Sequence, residues 1–216
     1  MFGFDLPTII ANIPALMIGF AFHEFAHAWV ADRLGDPTPR SQGRLTLNPI
    51  SHLDLFGTLM ALLYRFGWAK PVMTNPRYYR GNKKQGQMLV ALAGPIMNLL
   101  TAFVVMFLWF LTMHWMQGSA WSNIISLVFQ STVFMNLGLG IFNLLPIPPL
   151  DGFAVLKGLL PGRFAPQLHM FEQYGMIILV ILLFTDILGQ VLFPAVNGIA
   201  YAYQTIITLI LTPFLG

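Results

Sequence analysis

Leu53-Asp54-Leu55-Phe56-Gly57-Thr58-Leu59-Met60-Ala61-Leu62-Leu63-Tyr64 decides how this chain is laid out. The patch is apolar but only twelve residues long, whereas a helix needs about 20 residues to cross the hydrocarbon core of a bilayer. Either it crosses and everything after it changes sides, or it dips in and returns. Five other apolar stretches are long enough to span: Pro7 to Trp29, Gln87 to Trp115, Trp121 to Leu145, Gln173 to Phe193 and Ala195 to Leu215. Charge settles the choice. Nine of the eleven Lys and Arg residues lie between Arg33 and Lys84, the other two are Lys157 and Arg163, and the loop Met116 to Ala120 has none. If the patch does not cross, both basic regions fall on one face, which the positive-inside rule makes cytoplasmic. If it crossed, Lys70 to Lys84 would be split from Arg33, Arg40 and Arg44. The patch is therefore read as re-entrant, with the amino terminus outside and the carboxyl terminus in the cytoplasm.

Composition supports the same layout. Of 216 residues, 56% are hydrophobic and 9% charged, against roughly 25% charged in soluble domains, so a water-soluble enzyme is excluded. The absence of cysteine removes disulfides, thiolate zinc sites and cysteine nucleophiles. A net charge of +3 without a basic groove and interleaved aromatics excludes nucleic acid as a partner and leaves the lipid bilayer. The first span is too long and too polar at its end to be a cleaved signal peptide. Arg44 to Asn48 alternates, and Trp68 to Val72 reads as a second short strand, ended by Asn48-Pro49 and Asn75-Pro76. The expected fold is an all-α membrane protein: about five spanning helices, a short re-entrant segment and a small membrane-associated β hairpin. Residues 1–216 form a single membrane domain, with a core at about 7–160 and two further membrane helices at 173–215.

The residues able to do chemistry sit at the end of the first span. His23-Glu24-Phe25-Ala26-His27 is an H-E-x-x-H pattern. Residues four apart share a helix face, so both imidazoles can reach one ion while the Glu between them holds a water. Chance, or two histidines hydrogen-bonded to other helices, are the bland readings. Against them, a Glu and two His are costly to bury in a span and mark function. A catalytic zinc site takes three protein ligands and leaves one position for water. Candidates for the third are Asp5, Asp32, Asp36, Asp54, Asp151, Asp186, Glu172, His52, His114 and His169. Asp151 stands out because it ends 66 residues free of Asp, Glu, Lys and Arg and closes Asn143-Leu144-Leu145-Pro146-Ile147-Pro148-Pro149-Leu150-Asp151-Gly152. Three prolines must break a helix there, and irregular backbone at membrane depth is tolerated only around a cavity or inside protein. With the re-entrant patch, the motif and Asp151 lie on the same cytoplasmic side.

These segments resemble the site-2 proteases, the intramembrane zinc metalloproteases, over roughly residues 15 to 160. The resemblance also rests on Leu47-Asn48-Pro49-Ile50-Ser51-His52-Leu53-Asp54, Phe56-Gly57-Thr58, Phe66-Gly67-Trp68-Ala69-Lys70-Pro71-Val72 and Ala93-Gly94-Pro95-Ile96-Met97-Asn98. It points to the compact branch without a PDZ or CBS domain. Leu55 departs from it, since many relatives carry Pro there. It implies one zinc ion per chain held by His23, His27 and Asp151, with Glu24 as general base. It also implies a role for Asn143 in substrate orientation or oxyanion stabilisation, set against a plain helix–helix hydrogen bond. The implied activity is hydrolysis of peptide bonds in or near transmembrane segments of other membrane proteins.

The remaining polar residues are read structurally. Asn98 and Asn136 are hydrogen-bonding glue between helices, while His52 and Asp54 are loop caps or an interfacial pair, set against partners of a zinc-bound histidine. His114 anchors an interface beside Trp109 and Trp115, and His169 and Glu172 face water. A transmembrane substrate must unwind before its carbonyls are reachable, and adding as a strand to the hairpin would hold it so. The competing function is a metal-ion transporter or channel using the same His, Glu and Asp cluster. Substrate identity and oligomeric state are not legible.

Overall fold

The computed structural model describes residues 6–64 and 67–215. Helices α1 (Leu6–Arg33), α4 (Lys83–Trp115), α5 (Ser122–Asn143), α7 (Ala165–Leu183) and α8 (Ile187–Leu215) are joined by the shorter α2 (Thr38–Ser41), α3 (Leu55–Tyr64) and α6 (Asp151–Leu159). The five long helices are long and apolar enough to cross a membrane. Phe66, part of one motif above, and Asp5 lie outside the described residues.

Local chemistry starts and stops these elements. Asn82 caps α4 by accepting from the Lys84 and Gln85 amides. Asn48 and Asn75 do the same for 3₁₀ turns opened by Pro49 and Pro76, whose missing N–H costs nothing at a first position. The proline run after Asn143 ends α5, and the helix resumes only at Asp151. The fourth and fifth spans divide earlier than expected. The chain turns at Phe184 to Asp186, where the Thr185 hydroxyl donates to the Leu182 carbonyl at 3.0 Å. Pro194, read above as the boundary, lies inside α8.

α1, α4 and α5 pack most closely, α6 lies on α4, and α8 closes against α5 and α4. Ala102 and Met106 of α4, Val133 and Leu137 of α5, and Ile207 and Leu211 of α8 are buried together. Ala61 of α3 packs against Leu16 and Phe20 of α1. Phe20 lies thirteen residues before Arg33, about 20 Å along α1 at 1.5 Å per residue, so α3 runs beside the apolar middle of α1. Leu55 and Phe56 on its outer side are exposed.

The expected β hairpin is absent. Among the described residues no strand forms; one isolated antiparallel bridge joins Leu53 to Ala69, with the Lys70 amide donating to the His52 carbonyl at 2.8 Å. Arg44 to Asn48 does not pair with Trp68 to Val72. The buried Arg44 guanidinium instead donates to the Lys70 and Pro71 carbonyls, taking the acceptors that a partner strand would have used. Pro71 also offers no N–H to a ladder. With no hairpin, strand addition to it is withdrawn.

Candidate metal centre

His23 and His27 share one face of α1, and their Nε2 atoms are 3.0 Å apart. Asp151, the first residue of α6, brings Oδ2 to 3.1 Å from His23 Nε2 and 3.3 Å from His27 Nε2. Among the described residues, this trio groups its ligand atoms tightly enough to hold a metal.

Proton bookkeeping shows what the trio lacks. His27 Nδ1 lies 2.6 Å from the Val90 carbonyl, which can only accept, so Nδ1 carries a proton and the neutral ring keeps its lone pair on Nε2. His23 Nδ1 donates to Asn98 Oδ1 at 2.7 Å, leaving Nε2 bare as well. Asp151 Oδ2 is buried and accepts no hydrogen bond. Its short distances to the imidazoles describe an ion pair only if a ring takes a second proton, on Nε2; in the neutral rings the single protons point the other way. Three lone pairs facing one another repel unless a cation joins them. Two imidazoles and one carboxylate are a donor set that catalytic zinc takes. The residues therefore fit a zinc ion.

Gly94 makes room for the pair. A Cβ there would lie 2.6 Å from His23 Cε1 and closer still to His27 Nε2, so α4 can approach only without a side chain at this position. Glu24, buried beside the histidines, accepts from the Val72 amide through Oε2 at 2.8 Å. That amide belongs to an extended segment anchored at several points. Its start is bridged to Leu53, Arg44 grips it at Lys70 and Pro71, and Asp36 Oδ2 accepts from the Asn75 amide at 2.6 Å. Asp36 itself is fully buried, its other oxygen holding the Thr38 amide and hydroxyl.

The trio and Glu24 open onto a cavity of about 870 Å³ whose walls include Phe20, Trp68, Val72, Asn143, Met176 and Val180. It is bounded by α1, the 67–76 segment, α4, the end of α5, α6 and α7. Asn143 lines it, and its Nδ2 donates to the Leu139 carbonyl at 3.0 Å rather than to a member of the trio.

The other candidate ligands are engaged elsewhere. Asp32 pairs with Arg40 at 2.8 Å, Glu172 with Lys157 at 3.0 Å, and Asp54 caps α3 by accepting from the Gly57 amide. The His52 ring pairs through Nε2 with the Thr46 carbonyl at 2.8 Å, and burial pushes its pKa below the ordinary imidazole value. The cap reading thus holds for both His52 and Asp54. His114 stacks edge-on against Trp115, His169 lies beside Gln173, and Asp186 is exposed. Sequence reading missed the Val72 amide, the Val90 carbonyl and the space at Gly94. It counted Asn98 only as a contact between helices, although an Asn one helical turn after Gly94 was the available signal.

The sequence matches the model of peptidase family M50 over residues 11–118 and 111–185. It is 42% identical to YwhC of Bacillus subtilis, named as a zinc metalloprotease, across 85% of this chain and 84% of that protein. It is 32% identical to Rip2 of Mycolicibacterium smegmatis across 88% of this chain and 72% of the relative. Identity to MJ0611 of Methanocaldococcus jannaschii is 31% across 72% and 73%. Both of these relatives carry the same type of name. No solved structure matches the chain.

Proposed function

The chain belongs to peptidase family M50 and is a multi-pass membrane zinc metalloprotease, and we propose that it is an intramembrane endopeptidase cutting other membrane proteins in or near their transmembrane segments. The observation that carries this reading is the position of the trio on a helix long and apolar enough to span. His27 lies six residues, about 9 Å along α1, before Arg33, and α1, α4, α5 and α7 supply four of the cavity's walls. A transmembrane segment can approach such a site from within the bilayer.

His23, His27 and Asp151 are assigned as the ligands, with the catalytic unit at about 7–160 and the last two helices completing one domain. A zinc ion held there would supply Lewis acidity toward a peptide carbonyl and toward water. Glu24 is assigned as the base that accepts a proton from water. One of its oxygens is held by the Val72 amide, so Oε1 is assigned to the transfer and then to protonation of the departing amine. Asn143, on the cavity wall with a second amide proton beyond the one given to Leu139, is assigned to orienting the substrate carbonyl. Substrate must enter unwound, because a helix keeps its carbonyls paired. The amino terminus is placed outside and the carboxyl terminus in the cytoplasm.

The test is incubation of the detergent-solubilised protein with a panel of single-span substrates, with and without a chelator. Chelator-sensitive cuts within or beside the span are expected. Cleavage confined to soluble unfolded chains would contradict the intramembrane assignment.

A further inference from the structure

A fully buried chain of hydrogen bonds runs from α5 through α4 to the metal centre. Asn136 Nδ2 donates to the Thr132 carbonyl at 2.8 Å, and Asn136 Oδ1 accepts from Asn98 Nδ2 at 3.0 Å. Asn98 Nδ2 also donates to the Gly19 carbonyl at 3.0 Å, while Asn98 Oδ1 faces His23 Nδ1 at 2.7 Å. Neither asparagine has any exposure.

The direction of every bond follows from its ends. The Thr132 and Gly19 carbonyls can only accept, so the amide nitrogens of Asn136 and Asn98 must point at them. Each amide then has its oxygen turned the other way, Asn136 toward Asn98 and Asn98 toward His23. An oxygen facing Nδ1 requires a ring proton to sit there, so the neutral ring has its lone pair on Nε2, aimed at Asp151 and His27. Asn98 also spans one turn of α1, gripping the Gly19 backbone and the His23 ring together, so the ring is oriented as well as tautomerised.

Helix glue alone needs less. One amide–amide bond joins α4 to α5, and nothing in that role asks for a free oxygen directed at a histidine. Burying two amides in apolar surroundings is costly unless every bond is made, and here the last bond is made by a ligand.

We propose that Asn98, oriented in turn by Asn136, is a positioning residue that fixes the tautomer and ring angle of His23 and so sets the affinity of the metal centre. The proposal rests on the reading of His23 as a metal ligand. Groups beside a zinc-bound histidine typically contribute 10- to 100-fold in metal affinity.

The experiment measures zinc dissociation constants by chelator competition on folded, monodisperse protein. It is paired with ¹⁵N NMR of the histidine rings in the metal-free state, which reports which nitrogen carries the proton. Asn98→Ala is expected to weaken zinc binding about 10- to 100-fold and to move His23 away from the Nδ1–H tautomer. Asn136→Ala is expected to produce a smaller change of the same kind. The double variant should match Asn98→Ala alone, because Asn136 acts through Asn98 and contacting residues in one network are not additive. A purely structural asparagine would lower the folded fraction but leave both the affinity of the folded protein and the tautomer unchanged, and that result overturns the proposal. So do fully additive losses. If Asn98→Ala does not fold, Asn136→Ala decides alone: unchanged affinity and tautomer there also overturn it. His23→Ala is the control for the underlying assignment. Undiminished zinc binding in that variant removes His23 as a ligand, whereas lost binding there with unchanged affinity in Asn98→Ala overturns this inference only.

Discussion

Gly94 is the smallest residue on which the centre depends, and it gives a sharp test at the scale of single side chains. Gly94→Ala sets a methyl group against both imidazoles, yet Ala is the better helix former by about 1 kcal/mol. The expected outcome is zinc loss without loss of helix, read by metal analysis of the purified protein beside circular dichroism. Full zinc content would mean that α4 can shift away and that the site is softer than its geometry implies. Asp151→Ala is expected to lower zinc content sharply, and Asp54→Ala or Asp186→Ala to leave it unchanged, since neither aspartate reaches the trio. Much of this centre is legible in the sequence. The i, i+4 spacing puts two imidazoles on one face, and Asp151 is conspicuous after 66 residues without charge. The groups that finish it are not, because two are backbone: the Val72 amide and the Val90 carbonyl carry no residue signature. Gly94 is silent for a related reason, since its contribution is the absence of atoms.

At the scale of elements, the segment from Gly67 to Pro76 shows where pattern reading stops. Alternation and a bounding Asn-Pro make a strand plausible, but a strand is a relation between two segments. The long Arg44 side chain reached the same carbonyls first. The span boundary at Pro194 failed for a similar reason: spanning helices tolerate proline where neighbours satisfy the freed backbone, and the turn is set instead at Phe184 to Asp186. That the Leu53 to Tyr64 patch forms a helix too short to count among the spans was readable because length is a property of the chain itself. Arg44 carries the element-scale prediction. Arg44→Leu leaves the Lys70 and Pro71 carbonyls without their donor and loosens the segment that holds Glu24 through Val72. Zinc content is expected to stay near the parent value while turnover falls by about tenfold or more, on the order of one charge-assisted hydrogen bond. Unchanged turnover would show that the Leu53–Ala69 bridge and Asp36 hold the segment unaided.

At the scale of the whole molecule, the layout stands on one-sided charge and on a patch too short to cross. Single cysteines at Asn82 and Gly162 are expected to label from the cytoplasmic face, and one at Gly118 from the opposite face. The chain has no cysteine of its own to confuse the result. Labelling of positions 82 and 162 from opposite faces would separate Asp151 from the histidines and dissolve the centre. The central claim is that a base and a metal trio act together on a peptide bond, and the most direct measurement is zinc content beside cleavage for Glu24→Gln. Gln keeps the shape of Glu and its acceptor toward Val72 but cannot take up and hand on a proton. The expected result is a zinc-loaded, folded variant whose cleavage of a single-span substrate falls by about 10²- to 10⁴-fold, beside a parent that cuts and moves no zinc across liposomes. A Glu24→Gln protein that loads zinc and cuts at the parent rate, or a parent that carries zinc flux and cuts nothing, would contradict it.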